Sequence, residues 1–293
     1  RDAIPDILNY PVTTLGDLWL LDDHRIFCGD ALNPEHVAQL MGCCMARMVI
    51  TDPPYNVPVN GHVCGLGKHK HKDFAMAYGE MSEQQFQGFL ATSIQNAIFH
   101  SVDGSLHYLF MDWRHMRELL LAGASNYTEM KNLCVWVKDN GGMGSHYRSQ
   151  HELVFVYKHG KAPHINNVEL GKHGRYRTNV WHYPGANSFA RESAKDGNPL
   201  AMHPTVKPVQ MIADAIMDSS HRGDVVLDIF LGSGSTLVAA DQTKRICCGM
   251  EIDPLYVDVA IMRWQRLTNG TAYHAHTGKS WHETQQENRH VGQ

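Results

Sequence analysis

Asp224–Asp253, DVVLDIFLGSGSTLVAADQTKRICCGMEID, is the stretch that sets the fold class. Its first part, Val225 to Ile229, reads as a buried strand. Phe230 to Ser235 is a glycine turn, and a helix follows. A second short strand, Ile246 to Met250, ends on the acids Glu251 and Asp253. Strand, tight turn, helix, and a strand with a terminal acid make one half of a nucleotide-type site. Gly232 and Gly234 permit positive φ and close backbone approach. Glu251, 19 residues beyond Gly232, is spaced to hold ribose hydroxyls. Leu237 stands where the third glycine of G-x-G-x-x-G belongs, so the dinucleotide fingerprint is not met. A lone Gly-Ser-Gly is also a common structural turn, and many strand-end acids are simply solvated.

The rest of the chain bounds the reading. Its 293 residues, 43% hydrophobic and 19% charged with net charge −4, suit a globular protein with a full core. No apolar run approaches membrane length and no secretory pattern opens the chain, which argues against a membrane role. A chain opening on Arg1 implies a segment upstream of this sequence. The seven cysteines include no C-x-x-C, so reduced thiols in the cytoplasm are expected. The 20 histidines show no metal spacing, and Cys64, His69 and His71 are too irregularly placed to count as ligands. No metal is expected.

Residues 1–24 read as an entry segment in which Pro5 and Pro11 discourage regular structure. A strand in HRIFCGDA (24–31) and a helix over Pro34 to Met41 follow. Met48 to Thr51 is a strand that must leave the sheet at Asp52, because Pro53 and Pro54 cannot continue a ladder. Ser82, with Gln85 at the capping-box position, starts a helix to Phe99. Strands are expected at 107–112, 132–140 and 151–160, and helices at Arg114 to Ala122, Val209 to Ser219 and from Pro254 to about Arg266. Between Lys158 and Arg177 five Lys/Arg face one acid, Glu169, a local +4. Trp181, Tyr183 and Phe189 lie just beyond. The tail past Thr268 reads as loosely ordered. Alternating strands and helices give an α/β fold with a mainly parallel central sheet.

With TDPPYN at 51–56 added to the glycine turn, the chain resembles a known family. Asp-Pro-Pro-Tyr after a strand, with a distal Phe-x-Gly-x-Gly, is similar to the S-adenosylmethionine-dependent amino-methyltransferases of DNA. The order of the two motifs resembles their permuted beta class. The likeness runs from Arg25 to Arg266 and includes Gly29-Asp30, DPPYN at 52–56, HPTVKP at 203–208, the turn at 230–235 and Glu251. It implies a Rossmann-like methyltransferase fold divided into an entry segment (1–24), a catalytic half (25–157), a target-recognition insertion (158–200), a cofactor half (201–268) and a tail (269–293).

The chemistry of an aromatic amine explains the residue types. Its lone pair is delocalised into the ring, so acceptors must draw its N–H groups toward sp³ geometry. Asp52 supplies a carboxylate and Pro53 a carbonyl, while Pro53 and Pro54 stiffen the turn in advance. Tyr55 offers a ring face to a base flipped out of the duplex. The resemblance implies that Phe230, Gly232, Ser233, Gly234, Ser235 and Thr236 wrap the cofactor, with Glu251 and Ile252 at its ribose. It puts Asp30 and Ala31 near the adenine of the cofactor, Asp52 at its edge, and His203, Thr205 and Lys207 closing over it. Tyr147, Arg148, Lys172, Arg175, Arg177 and Trp181 are the expected contacts to double-stranded DNA. The resemblance also implies, from a tendency within the family, that Asp in the first position of the motif favours N6 of adenine over N4 of cytosine. RNA, a protein amide, or DNA binding without catalysis use the same frame. A homodimer is common in the family, although no self-complementary stripe stands out.

Overall fold

The computed structural model describes residues 2, 4–57, 77, 79–142, 146–172, 176–185 and 206–291. Its strands are β1 (Leu18–Leu21), β2 (His24–Cys28), β3 (Ala46–Thr51), β4 (Ser101–Met111), β5 (Glu129–Val137), β6 (His151–Lys158), β7 (Val180–His182), β8 (Val225–Asp228), β9 (Ile246–Glu251) and β10 (Ala272–His274). The helices are α1 (Pro34–Met41), α2 (Glu83–Phe99), α3 (Met116–Asn126), α4 (Val209–Ser219), α5 (Ser235–Thr243), α6 (Pro254–Thr268) and α7 (Trp281–Val291).

Strand order in the single sheet is β10-β1-β2-β9-β8-β3-β4-β6-β5-β7. The run β2-β9-β8-β3-β4 is parallel throughout, while β1 and β6 pair antiparallel with their neighbours. Both faces are covered, as side-chain alternation requires. Ile26, Cys28, Met48, Ile50 and Val226 point to the face carrying α4, α5 and α6. Phe27, Val49 and Leu227, one residue out of phase, point to α1 and join its Val37, Leu40 and Met41. Leu109 and Phe155 complete that second face beneath Phe86, Leu90 and Leu119.

From β8 the chain crosses to β9 on one side, and from β3 it crosses to β4 on the other. The boundary between β8 and β3 is therefore the topological switch point, where open α/β sheets place their sites. Local signals delimit three of the helices well, while β4 begins at Ser101 rather than 107 and α3 runs from Met116 to Asn126 rather than from Arg114 to Ala122. Ser82 and Gln85 form the expected capping box on α2, and α1 and α4 span the expected residues.

Two expectations need correction. The entry segment contains β1, whose LWLL run pairs with both β2 and β10. The tail is built into the fold: β10 closes the sheet edge, and the buried Trp281 donates from Nε1 to Asp258 Oδ1 at 2.8 Å. Asp258 Oδ2 also accepts from Val12 N at 2.7 Å, so one buried carboxylate ties both ends of the chain to α6. β7 brings part of the 158–200 stretch into the sheet beside β5.

Candidate active site

At the switch point a buried aspartate joins two motifs that lie far apart in sequence. Asp228 ends β8. Its Oδ1 accepts from Thr51 Oγ1 at 2.7 Å and Phe230 N at 3.1 Å, and its Oδ2 accepts from Thr236 Oγ1 at 2.6 Å. The residue before Asp52 and the first turn of α5 are thereby clamped to one side chain. Burial pushes the Asp228 carboxyl up to about 6, against the pull of its three donors.

The glycine turn is shaped for close approach. Gly232 has φ +54°, and no atom lies within 4 Å of where its Cβ would stand. Gly234, with φ +83°, begins α5 and packs so closely on Ala260 that a Cβ would come within 2.9 Å. Glu251 accepts from Gly232 N at 2.8 Å and from Asp253 N at 3.0 Å. Burial raises its carboxyl to about 7 despite those donors. A backbone-gripped carboxylate beside an open glycine suits vicinal hydroxyls, so these residues fit the ribose of S-adenosylmethionine. Behind the turn, the buried Arg263 donates to Ser233 O and Ser235 Oγ, each at 3.1 Å, and pairs with Asp2. Ser233, Ser235 and Thr236 thus brace the turn from inside.

The other expected cofactor residues fall as follows. Gly29 N donates to Glu251 O at 2.9 Å, which sets the Gly29-Asp30 turn beside Glu251. Asp30 Oδ1 accepts from Leu32 N at 2.9 Å as a turn aspartate. The buried Ala31 accepts from Asn96 through its carbonyl, and the Ile252 carbonyl faces Cys28 Sγ at 3.9 Å. The Phe230 ring lies 5.7 Å from that of Phe89. His203, Thr205 and Arg175 lie outside the described residues, as do Phe189, Cys64, His69 and His71.

Across the switch point, the Asp-Pro-Pro-Tyr turn meets a charged cluster. Asn56, at φ +52°, anchors the turn by donating to Met81 O at 2.8 Å and accepting from Gly79 N and Met81 N. The Tyr55 hydroxyl stands 2.5 Å from Asp52 Oδ1 and 2.9 Å from Glu152 Oε2, with one proton to share between them. Lys207 contacts Asp52 Oδ2, and its Nζ is 3.1 Å from Glu152 Oε2. Lys138 meets the other Glu152 oxygen at 2.5 Å. Burial raises the Asp52 carboxyl in spite of Lys207. Burial opposes ionisation of Glu152 too, but Lys207 and Lys138 together hold it down at about 2. Lys207, expected over the cofactor, thus sits against Asp52. Glu152 and Lys138 were read only as strand and strand-end residues, and nothing local marks them.

Of the residues expected at DNA, Tyr147 and Arg148 are exposed on the loop before β6, at the same end of the strands as Asp52. Arg148 donates to the carbonyls of Gly141 and Gly142. Lys172 is exposed. Arg177 lies inward, bonded to Asp218 Oδ2 at 2.7 Å and to the Tyr183 hydroxyl at 3.1 Å. Trp181 is buried, its ring stacked 6.4 Å from Tyr108. Trp113, and Arg114, which was expected only as the start of a helix, follow β4 at the strand ends that carry Asp52. The half-exposed indole donates to Ser149 Oγ at 3.3 Å, under the Arg114 guanidinium. Among the described residues no group of three or more His, Cys, Asp or Glu is placed to hold a metal, and no helix is long and apolar enough to cross a membrane.

Fold and site together are those of a Rossmann-like α/β protein with a mostly parallel sheet. Within that class, the sequence model of the N6/N4 DNA methylase family matches residues 46–262, and the chain belongs to that family. It is 25% identical over 174 residues to the type II methyltransferase M2.MboI of Moraxella bovis, across 57% of this chain and 59% of that protein. It is 24% identical over 260 residues to the type II methyltransferase M.HpaI of Haemophilus parainfluenzae, across 85% of this chain and 76% of that protein. The chain therefore spans less than two thirds of M2.MboI. Its fold is similar to that of M1.HpyAVI, solved as a SAM complex, with a TM-score of 0.56, 20% identity, and coverage of 81% of this chain and 97% of that one.

Proposed function

We propose that the chain is an S-adenosylmethionine-dependent DNA methyltransferase acting on the exocyclic N6 of adenine in a specific duplex sequence. One observation carries the reading: Asp228 clamps the acceptor turn at Thr51-Asp52 to the glycine turn through Thr51 and Thr236. Methyl donor and acceptor would then meet in a fixed relation, which is most of what a direct transfer needs from a protein.

Gly232, Gly234 and Glu251 would hold the cofactor, which supplies an electrophilic methyl group on a sulfonium. Asp52 and the Pro53 carbonyl accept the two N–H groups of the flipped base and restore the lone pair of its nitrogen. Asp52 is also suited to take up the proton the amine loses, since burial raises its carboxyl. Tyr55, fixed at its hydroxyl by two carboxylates, presents its ring to the base. Tyr147, Arg148, Trp113 and Arg114 would meet the DNA around the opening. The family model covers both N6 and N4 amines, so cytosine N4 is the second reading.

The test is incubation with unmethylated genomic DNA and S-adenosylmethionine, then digestion to nucleosides and mass spectrometry. N6-methyldeoxyadenosine is the expected product. N4-methyldeoxycytidine would keep the mechanism and overturn the base assignment. Absence of any modified deoxynucleoside would overturn the DNA reading, leaving RNA, a protein amide or binding alone.

A further inference from the structure

Asp52 is already occupied. One carboxylate oxygen meets the Lys207 ammonium and the other the Tyr55 hydroxyl. An incoming amine must bond to the same carboxylate, so Lys207 competes with it for Asp52.

We propose that Lys207 plugs the acceptor site of the free protein and that Glu152 is the positioning residue that receives it when the target amine enters. The inference rests on the methyltransferase reading above. Three observations support it. Lys207 Nζ touches Asp52 and lies 3.1 Å from Glu152 Oε2, so leaving one carboxylate does not leave the ammonium unpaired. The side chain is only 6% exposed and cannot release its charge to water instead. The rings of Phe110, Tyr55 and Trp136 lie 5.2, 5.4 and 6.0 Å from the ammonium and line its short path.

Charge balance sharpens the argument. Two carboxylates, Asp52 and Glu152, face two ammonium groups, Lys207 and Lys138, so the cluster is neutral. Glu152→Gln leaves it one positive charge in excess, and among the described residues Lys207 then keeps only Asp52 as a carboxylate partner. Lys207→Met in that background removes the plug and restores neutrality through Asp52 and Lys138.

The experiment compares wild type, Glu152→Gln, Lys207→Met and the double variant, all as full chains with unmethylated genomic DNA. Melting temperatures and circular dichroism verify that each is folded. Glu152→Gln should lower kcat roughly 10- to 100-fold, the usual cost of one lost charged contact, with KM for S-adenosylmethionine unchanged within about twofold. Adding Lys207→Met should recover a large part of that loss. Lys207→Met alone should shift the acid limb of the kcat profile to higher pH, because Asp52 loses the cation that favours its ionised form.

A double variant as slow as Glu152→Gln, or slower, overturns the hand-over and makes Lys207 a plain support for Asp52. If Glu152→Gln does not fold, the acid-limb shift in Lys207→Met and its KM for DNA decide: an unchanged limb or a raised KM overturns the proposal. Absence of methyl transfer by the wild type overturns the functional reading instead, and the hand-over falls with it.

Discussion

At the glycine turn, Asp228 and Glu251 are held by hydroxyl and backbone N–H donors, and burial lifts them to about 6 and 7. Across the switch point, Glu152 is also largely enclosed, yet two lysines keep it near 2. The difference is one of task. Neutral donors at fixed backbone positions give a carboxylate one geometry, which suits a shape to be recognised. Lysines on flexible stems give a neutral cluster whose contacts can be exchanged, which suits a site that a substrate must enter.

The sharpest way to break this contrast is Asp52→Ala. It should lower kcat by at least ~1000-fold, since it removes both an acceptor and a proton sink, while cofactor and DNA affinity stay within a few-fold. Turnover measured beside calorimetric binding separates the two effects. A matching loss of cofactor affinity would show that Asp52 belongs to the fixed side.

Glu251→Ala should act the other way. Gly232 N and Asp253 N lose their acceptor, and the affinity for S-adenosylmethionine should fall roughly 10- to 100-fold. At saturating cofactor, kcat should recover most of its value. Because the Glu251 carboxyl titrates near 7, wild-type affinity should rise as pH passes from 6 to 8 and the ionised acceptor becomes available. Titration calorimetry across that range reads both, and an affinity flat with pH would remove Glu251 from the ribose.

These two sides were unequally legible in the sequence. The glycine turn, Glu251 and the Asp-Pro-Pro-Tyr turn announce themselves because strand ends, prolines and glycines are local signals. The exchangeable cluster is not local: Tyr55 and Glu152 are 97 residues apart, joined only because β6 packs antiparallel against β4. Arg177 misled for the same reason. Counting charges between 158 and 177 could not register Asp218, 41 residues on and on α4. The tail looked unstructured because the partner of Trp281 is Asp258 on α6, which also binds the chain's opening residues.

Stability against pH offers a finer test of the fixed side. Asp228 moves from 3.8 to about 6 on folding, so its contribution is full below about 3.8 and is lost as pH rises through about 6. Between pH 5 and 8 the wild type should lose about 1 kcal/mol more than Asp228→Asn, which cannot titrate. Glu152 shifts the opposite way and adds no slope in this window, since its contribution is lost only as pH falls toward about 2. Thermal melts of the two proteins at both pH values measure the difference. A smaller slope in the wild type would mean that a cation reaches Asp228 after all.

The smallest expected effect lies at the rim of the exchangeable side. Arg148 is exposed, and its guanidinium is steadied by the Gly141 and Gly142 carbonyls, uncharged partners that leave its charge available to a phosphate. Arg148→Ala should weaken DNA binding a few-fold and reduce the slope of log affinity against log salt by about one. Arg177→Ala should instead leave that slope unchanged and lower the melting temperature, because the buried Asp218 loses its guanidinium. Two arginines that look alike in a basic stretch would thus separate into one that meets DNA and one that holds α4 to the insertion. If Arg177→Ala flattened the salt slope as well, its pairing with Asp218 would itself be exchangeable, and the boundary between fixed and movable charge would lie further from Asp52.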